Sequence, residues 1–181
     1  MKVSTLVAVL LLVASVRCAP VLFSKSLLMR LLPQTIASAV DGLSEEQRAT
    51  YHELREKYEK QANGGELDGD QVVAMYEELE KKDPKLHEIL WPVVLNTAYR
   101  IARMDDRSNA FFDRYMDKVG LLTPLLENDR DAFISQLLKF ADAEWSKLPE
   151  ESRAHFRREF PEMAAVFEDT QLLKLAGVRS Q

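Results

Sequence analysis

The sequence predicts an all-α fold, in a single compact domain of several short and medium amphipathic helices around an internal apolar cavity. Apolar residues recur at spacings of three and four along nearly every long segment, and the alternation typical of strands is missing from the sequence. Helix-starting residues stand in front of these segments. A chain of 181 residues is long enough for one domain with a substantial core and too short for two independent ones.

The apolar pattern marks five helices in order, followed by a pair of shorter ones. The first two, over residues 47–62 and 70–82, are apolar on one side only, and the fifth has a broad apolar face. The positions that mark the elements are Tyr51, Leu54 and Tyr58; Val72, Val73, Tyr76 and Leu79; Leu86, Ile89, Leu90, Val93, Val94, Thr97 and Ile101; Phe111, Phe112, Tyr115, Met116 and Val119; Phe133, Ile134, Leu137, Leu138, Ala141, Trp145 and Leu148; and Phe156, Phe160, Met163 and Phe167.

Capping residues and first-turn acids predict where these helices begin. Ser44, Asp83 before Pro84, Asp129 and Pro149 each precede an apolar-periodic segment. One nine-residue pattern occurs twice, as LSEEQRATY from Leu43 and LPEESRAHF from Leu148. In both copies we expect the leucine to end a loop, the two glutamates to complement the positive helix N-terminus, and the aromatic residue to be the first buried ring. Such a repeat is explained equally well by duplication and by the commonness of acidic helix starts.

Three prolines interrupt apolar helical stretches, in the pairs Trp91-Pro92, Thr123-Pro124 and Phe160-Pro161. A proline either bends a helix or ends it, and we expect a helix boundary at each. Short helices that meet at odd angles pack imperfectly, and imperfect packing is one way in which an all-α protein keeps an internal cavity.

The N-terminal twenty residues, MKVSTLVAVLLLVASVRCAP, have the features of a secretory signal peptide. A basic residue precedes an apolar run from Leu6 to Val13, and small or neutral residues follow before a proline. We expect cleavage between Cys18 and Ala19, with residues 1–18 as signal peptide and 19–181 as the helical domain. A membrane anchor is the rival interpretation, but spanning a bilayer takes about 20 apolar residues and this run stops at Arg17.

Charge and cysteine content narrow the class of protein further. Cleavage would remove Lys2 and Arg17 and leave 22 basic residues against 29 acidic ones, a formal charge of −7. Nucleic acid is therefore an unfavourable partner. The same cut removes Cys18, the sole cysteine of the sequence, so packing alone would stabilise a protein exported to an oxidising compartment. We expect a secreted, extracellular monomer.

No motif in the sequence supports catalysis or a cofactor. His52-Glu53 and His87-Glu88 begin like a zinc-protease helix, but Glu56 and Trp91 stand where the second histidine is needed. His155 lies among charged neighbours and is expected at the surface. Asp68-Gly69-Asp70 resembles the start of a calcium loop, but Val72 stands at the fifth position and Val73 at the sixth, where glycine is needed, so we predict a loop with Asp70 as N-cap. The chain is not expected to be an enzyme, and no cofactor or metal is predicted.

An acyl chain suits the predicted interior. Burying a methylene gains about 0.8 kcal/mol, so a dozen methylenes gross about 10 kcal/mol before ordering costs, which is enough for micromolar binding or better. Arg100 follows Thr97 and Val93 by three and seven residues, at the border of an apolar face, and is the predicted headgroup partner; covering the core edge with its aliphatic stem is its alternative role. The other predicted ligand-binding residues are Val94, Ile101, Phe112, Met116, Phe133, Leu137 and Phe156.

Several segments together resemble one known family. KLPEESRAHFRREFPEMAAVF followed by DTQLLKLAG is similar to the C-terminal part of the nematode fatty-acid and retinol-binding (FAR) proteins, where a Phe-Pro pair and a short final helix follow a similar helix start. LLPQTIASAVDGLSEEQRATYHEL, YEELEKKDPKLHEIL and SNAFFDRYMDKV resemble earlier segments of that family, so the resemblance covers about residues 31–177.

The resemblance implies a small, helix-rich, secreted nematode protein that carries fatty acids, retinol or both in an internal cavity, with membranes as possible partners during delivery. It supplies no motif for the carboxylate partner, so Arg100 rests on spacing alone. The alternative function is a secreted helical interaction module, whose apolar faces bind a protein partner or a membrane surface.

Overall fold

Residues 25–62 and 67–179 are described by the computed structural model, and the predicted signal peptide lies outside them. The described residues form ten α-helices and no strand, which confirms the predicted all-α class, while the internal cavity stays a prediction. In chain order they are α1 (Lys25–Arg30), α2 (Gln34–Asp41), α3 (Glu45–Gln61), α4 (Gly69–Lys82), α5 (Pro84–Ala102), α6 (Asp106–Asn128), α7 (Arg130–Trp145), α8 (Glu150–Glu159), α9 (Pro161–Glu168) and α10 (Thr170–Leu175).

Most helix starts lie where the capping signals predicted them. Ser44 forms a capping box with Gln47, in which its hydroxyl accepts the Gln47 N–H at 3.2 Å and the Gln47 side chain accepts the Ser44 N–H at 3.0 Å. Asp83 and Asp129 each accept a backbone N–H of the helix that follows. These bonds satisfy donors that the first turn of a helix leaves without partners.

The predicted cap of α4 was wrong by two residues. Asp68, and not Asp70, is the N-cap, with the Gln71 N–H donating to Asp68 Oδ1 at 2.8 Å, while Asp70 lies in the first turn. Gln71 explains the difference, because its side chain accepts the Asp68 N–H at 3.0 Å and completes a capping box that Asp70 could not form.

The repeated nine-residue pattern begins α3 and α8, as predicted. Leu43 and Leu148 are buried immediately before the N-cap, the paired glutamates occupy the first turn, and Tyr51 and Phe156 are buried rings. The caps themselves differ, because Ser44 accepts a hydrogen bond and Pro149 makes none. The repeated pattern therefore starts a helix and places an aromatic ring in the core two turns later.

Two of the three predicted proline boundaries were wrong. Pro92 lies inside α5 and Pro124 inside α6, whereas Pro161 does separate α8 from α9. Both internal prolines are exposed. The carbonyl that each of them leaves without its intrahelical donor is thus on a side that water can reach, which lowers the cost of continuing the helix.

The helices pack into two groups around a continuous apolar core. In the first, α4 packs against α3 and α5, and α2 packs against α1 and α5; in the second, α6 packs against α7 and α8, and α9 and α10 pack against α7. α9 also contacts α1 and so joins the groups. The Tyr115 hydroxyl of α6 makes a second connection, donating to the carbonyl oxygen of Leu31 at 2.8 Å in a buried position.

Helix α10 is followed by a glycine whose backbone lies in the left-handed region. Gly177 has a φ of 66°, the Val178 N–H donates to the Leu173 carbonyl at 2.9 Å, and the Gly177 N–H donates to the Lys174 carbonyl at 3.0 Å. This is the Schellman arrangement, which satisfies the last carbonyls of α10. Ser135 of α7 donates to the Ala176 carbonyl and holds the same end against the core.

Replacing Tyr115 with Phe is expected to lower the free energy of unfolding by about 1–2 kcal/mol, because the Leu31 carbonyl oxygen would lose a buried donor. Tyr58→Phe is the matched control, since the Tyr58 hydroxyl contacts Glu78 at 3.1 Å in a more accessible position. Denaturant unfolding of both variants measures the effect. Equal losses in the two would show that the connection between α6 and Leu31 is unimportant.

Candidate ligand-binding site

All seven predicted apolar site residues are buried and belong to one core cluster. Val94 and Ile101 come from α5, Phe112 and Met116 from α6, Phe133 and Leu137 from α7, and Phe156 from α8. Whether any of them contacts a lipid remains a prediction. The fold does bring them into the same interior, and two of them, Phe112 and Phe156, also make contacts with other aromatic rings.

Phe156 lies at the centre of an aromatic cluster that links four helices. Its ring is fully buried and is 5.2 Å from Phe111, 5.4 Å from Trp145, 5.5 Å from Phe160 and 6.0 Å from Phe167, measured between ring centroids. The contacts to Phe111 and Trp145 are edge-to-face, an arrangement that the quadrupoles of aromatic rings favour.

Phe112 occupies the edge of this cluster and stacks on Phe160. Their ring planes are inclined by only 16° at a centroid distance of 4.9 Å, and Phe112 is 6.4 Å from Phe156. Phe112 and Phe156 are thus the two predicted site residues that the structure places in direct ring contact. Phe160 was not among the predicted site residues, although the Phe-Pro pair placed it at a helix junction.

Arg100 anchors one helix end to another. Its Nη1 donates to the carbonyl oxygen of Glu159 at 3.0 Å, which links α5 to the end of α8. The Glu159 carboxylate is buried beside it, and Oε1 of that group lies 2.9 Å from Arg158 Nε and 3.5 Å from Arg103 Nε. Arg100 is therefore half-buried with part of its donor capacity already used, a role that spacing alone did not predict.

The three histidines are dispersed over three helices. His87 stacks on Trp91 at 6.0 Å, and both pack near Tyr76. His52 is half-buried on α3, where burial and the charge of Arg55 lower the pKa of the imidazole. Within residues 25–62 and 67–179, no group of three or more His, Cys, Asp or Glu residues is placed to hold a metal ion.

His155 belongs to a polar cluster that sequence inspection missed. Its Nδ1 is 3.5 Å from Asp105 Oδ2, and the hydroxyls of Ser108 and Ser152 lie 2.7 and 3.1 Å from the two oxygens of that carboxylate. Both serines face the aspartate and not the imidazole, so the arrangement is not that of an activated nucleophile. Its role is to hold the start of α6 against α8.

Hydrogen bonds control the acidity of Asp105. Burial would raise its pKa, but the Ser108 hydroxyl and N–H, the Ser152 hydroxyl and the Arg107 N–H together lower the pKa to about 2. The Arg107 and Ser108 N–H groups donate to Oδ1 at 2.9 and 3.1 Å, as expected of an N-cap carboxylate.

Comparison with known proteins identifies the family. The family model described as "Nematode fatty acid retinoid binding protein (Gp-FAR-1)" matches residues 29–178. The chain belongs to this family. None of the curated proteins and none of the solved structures matches the chain.

The match spans nine of the ten helices of this fatty acid retinoid binding family member completely and the C-terminal end of α1. It confirms the resemblance found in the sequence, whose limits of 31 and 177 fall within a few residues of those of the match. In the described part of the chain, no helix is both long enough and apolar enough to cross a membrane.

Replacement of Asp105 is expected to lower the free energy of unfolding by an amount that depends on pH. Its carboxylate has a lower pKa in the folded protein than in the unfolded chain, so its contribution is present above about pH 4 and is lost as the pH falls towards 2. Asp105→Ala is expected to lower the unfolding free energy by about 1–2 kcal/mol at neutral pH, and by less at pH 2.5.

Asp169→Ala provides the control for that variant, because Asp169 caps α10 with a bond to a single backbone N–H, that of Leu172. Denaturant titrations at neutral pH and at pH 2.5 separate the two variants. A deficit for Asp105→Ala that does not change with pH would contradict the hydrogen-bond account.

Proposed function

We propose that this protein is a secreted carrier that holds a fatty acid or a retinoid among its buried apolar side chains and transports it. Membership of the fatty acid retinoid binding family, over residues 29–178, is the observation that carries the proposal. The predicted signal peptide supports secretion, and the acidic surface charge is compatible with an extracellular protein.

Apolar burial supplies enough free energy for this function. The core cluster extends over all ten helices and contains phenylalanines, leucines and several methionines, among them Met75, Met116 and Met163. Methionine side chains are unbranched and adapt to irregular neighbours, so a core that contains them repacks around a guest more easily than one built from branched residues. Val94, Ile101, Phe112, Met116, Phe133, Leu137 and Phe156 are the proposed lining, with Arg100 as a candidate at its border.

Filling the proposed lining is expected to weaken binding. Val94→Phe adds four carbon atoms and places an aromatic ring at a buried position on α5, and we expect at least tenfold weaker displacement of a fluorescent fatty acid by oleate or retinol. Leu175→Phe makes a similar enlargement at a site that is 77% exposed and should leave affinity unchanged. Wild-type protein that gives no emission change at micromolar concentration would refute carrier function itself.

Secretion has a direct test at the predicted cleavage site. Protein recovered from the medium of a eukaryotic host that expresses the full chain is expected to begin Ala19-Pro20-Val21, as read by N-terminal sequencing. Protein retained in the cell with residues 1–18 attached would contradict it. An N-terminus a few residues away would correct the cleavage site alone.

A second candidate function is binding to a membrane or a protein surface. The outward side of α5 exposes Ile89, Leu95 and Tyr99, and the Arg103 guanidinium lies 5.5 Å from the centre of the Tyr99 ring. An apolar side with an aromatic residue and a nearby cation is typical of surfaces that rest on lipid headgroups. Cosedimentation with phosphatidylcholine vesicles tests it, and loss of binding in a Leu95→Ser, Tyr99→Ser double variant would assign it to α5.

A further inference from the structure

Three polar side chains lie buried together between α3 and α4. Tyr51 and Arg55 are four residues apart on α3 and so share a face, while Tyr76 comes from α4. Tyr51 is 4% exposed, Tyr76 is 1% exposed and the Arg55 side chain is 13% exposed. Ion pairs between Lys57 and Glu78 and between Lys82 and Glu53 tie the two helices together along their exposed edges.

The hydrogen-bonding capacity of this cluster is largely unused. The Tyr51 and Tyr76 hydroxyls lie close enough for one to interact with the other, but their geometry is outside the range of a good hydrogen bond and no third group contacts either hydroxyl as a partner. Arg55 Nη2 pairs with Glu59 at 2.6 Å, but its Nε and Nη1 are buried without an acceptor. Buried donors of this kind are rare, because the loss of their hydration is not compensated.

All the unused groups are able to act as donors. Burial raises the pKa of both tyrosines, so each keeps its proton at neutral pH. The guanidinium is always charged. The two phenol oxygens can also accept, but the cluster holds more donors than acceptors, and the acceptor that best complements two neutral hydroxyls and one cation is an anion with two oxygens.

We propose that Tyr51, Arg55 and Tyr76 bind the headgroup of the carried lipid, and that this headgroup is a carboxylate. The inference rests on the proposed carrier function and specifies which residues bind the headgroup and so orient the ligand. It assigns the headgroup to the α3–α4 pair instead of to Arg100, whose Nη1 already donates to the Glu159 carbonyl.

The surroundings of the cluster suit an acyl chain. The Tyr76 ring packs 5.2 Å from Trp91 and 6.4 Å from His87, so aromatic groups of α4 and α5 flank the headgroup position. Buried aliphatic side chains continue from there on α4 and α5, namely Val72, Met75, Leu79 and Leu90. A chain attached to the carboxylate would follow these apolar faces of α4 and α5.

Substitution of each of the three residues tests the site when the affinity for an acid is compared with the affinity for its ester. Oleate offers a charged carboxylate and methyl oleate does not, while their acyl chains are identical. In titrations with both ligands, Tyr51→Phe and Tyr76→Phe are each expected to weaken oleate binding about tenfold, and Arg55→Gln about a hundredfold, with methyl oleate binding unchanged. The melting temperature of ligand-free Tyr→Phe protein should stay the same or rise, because a buried hydroxyl without a partner is removed.

Lys60→Gln is the matched control, since it removes one positive charge from the same helix at a side chain that is 79% exposed. It should change neither affinity. If Arg55→Gln does not fold, the two Tyr→Phe variants still decide the question, because each loses only one oxygen atom.

Four outcomes would overturn the site. Equal losses for acid and ester would show that the cluster merely supports the fold, or holds buried water, and unchanged oleate affinity in all three variants would place the headgroup elsewhere. A loss of acid preference in Arg100→Gln alone would assign the headgroup to that residue. Wild-type protein that binds neither oleate nor methyl oleate would remove this site, and it would remove carrier function as well if retinol also fails to bind.

Discussion

The burial of one ring, Phe156, is the constraint on which the second helix group depends. Its neighbours Phe111, Trp145, Phe160 and Phe167 belong to α6, α7, the α8–α9 junction and α9. Helices of eight to ten residues such as α8 and α9 are marginal in isolation. They are stable here because each contributes a large buried ring to the same cluster. Pro161, the first residue of α9, restricts the backbone at the junction between α8 and α9.

The two helix groups are joined by few but specific polar contacts. Tyr115 donates to the Leu31 carbonyl and Arg100 donates to the Glu159 carbonyl, and the Glu159 carboxylate also pairs with Arg103 at the end of α5. Hydrogen bonds of this type fix position without adding much net free energy.

Sequence periodicity predicted the class of fold and most of the helices because burial of one face dictates that pattern. Periodicity did not predict whether a helix ends at a proline. At Pro92 and Pro124 the helix continues, because both residues are exposed and water can reach the carbonyl that loses its hydrogen-bond donor. The candidate site was predicted only as a set of apolar positions. Arg55 was missed because the apolar pattern was read from apolar and aromatic residues alone, although its position four residues after Tyr51 places it on the same buried face of α3.

The unused donors of the α3–α4 pair also bear on how the protein trades stability for binding. Hydroxyl and guanidinium groups that are buried without partners lower the stability of the empty protein, and a ligand that satisfies them returns that free energy as affinity. A ligand that binds only the folded state also raises apparent stability by mass action. In a protein that binds a charged lipid, such polar groups contribute as ligand partners what a Phe or Leu at the same position would contribute to a stable core.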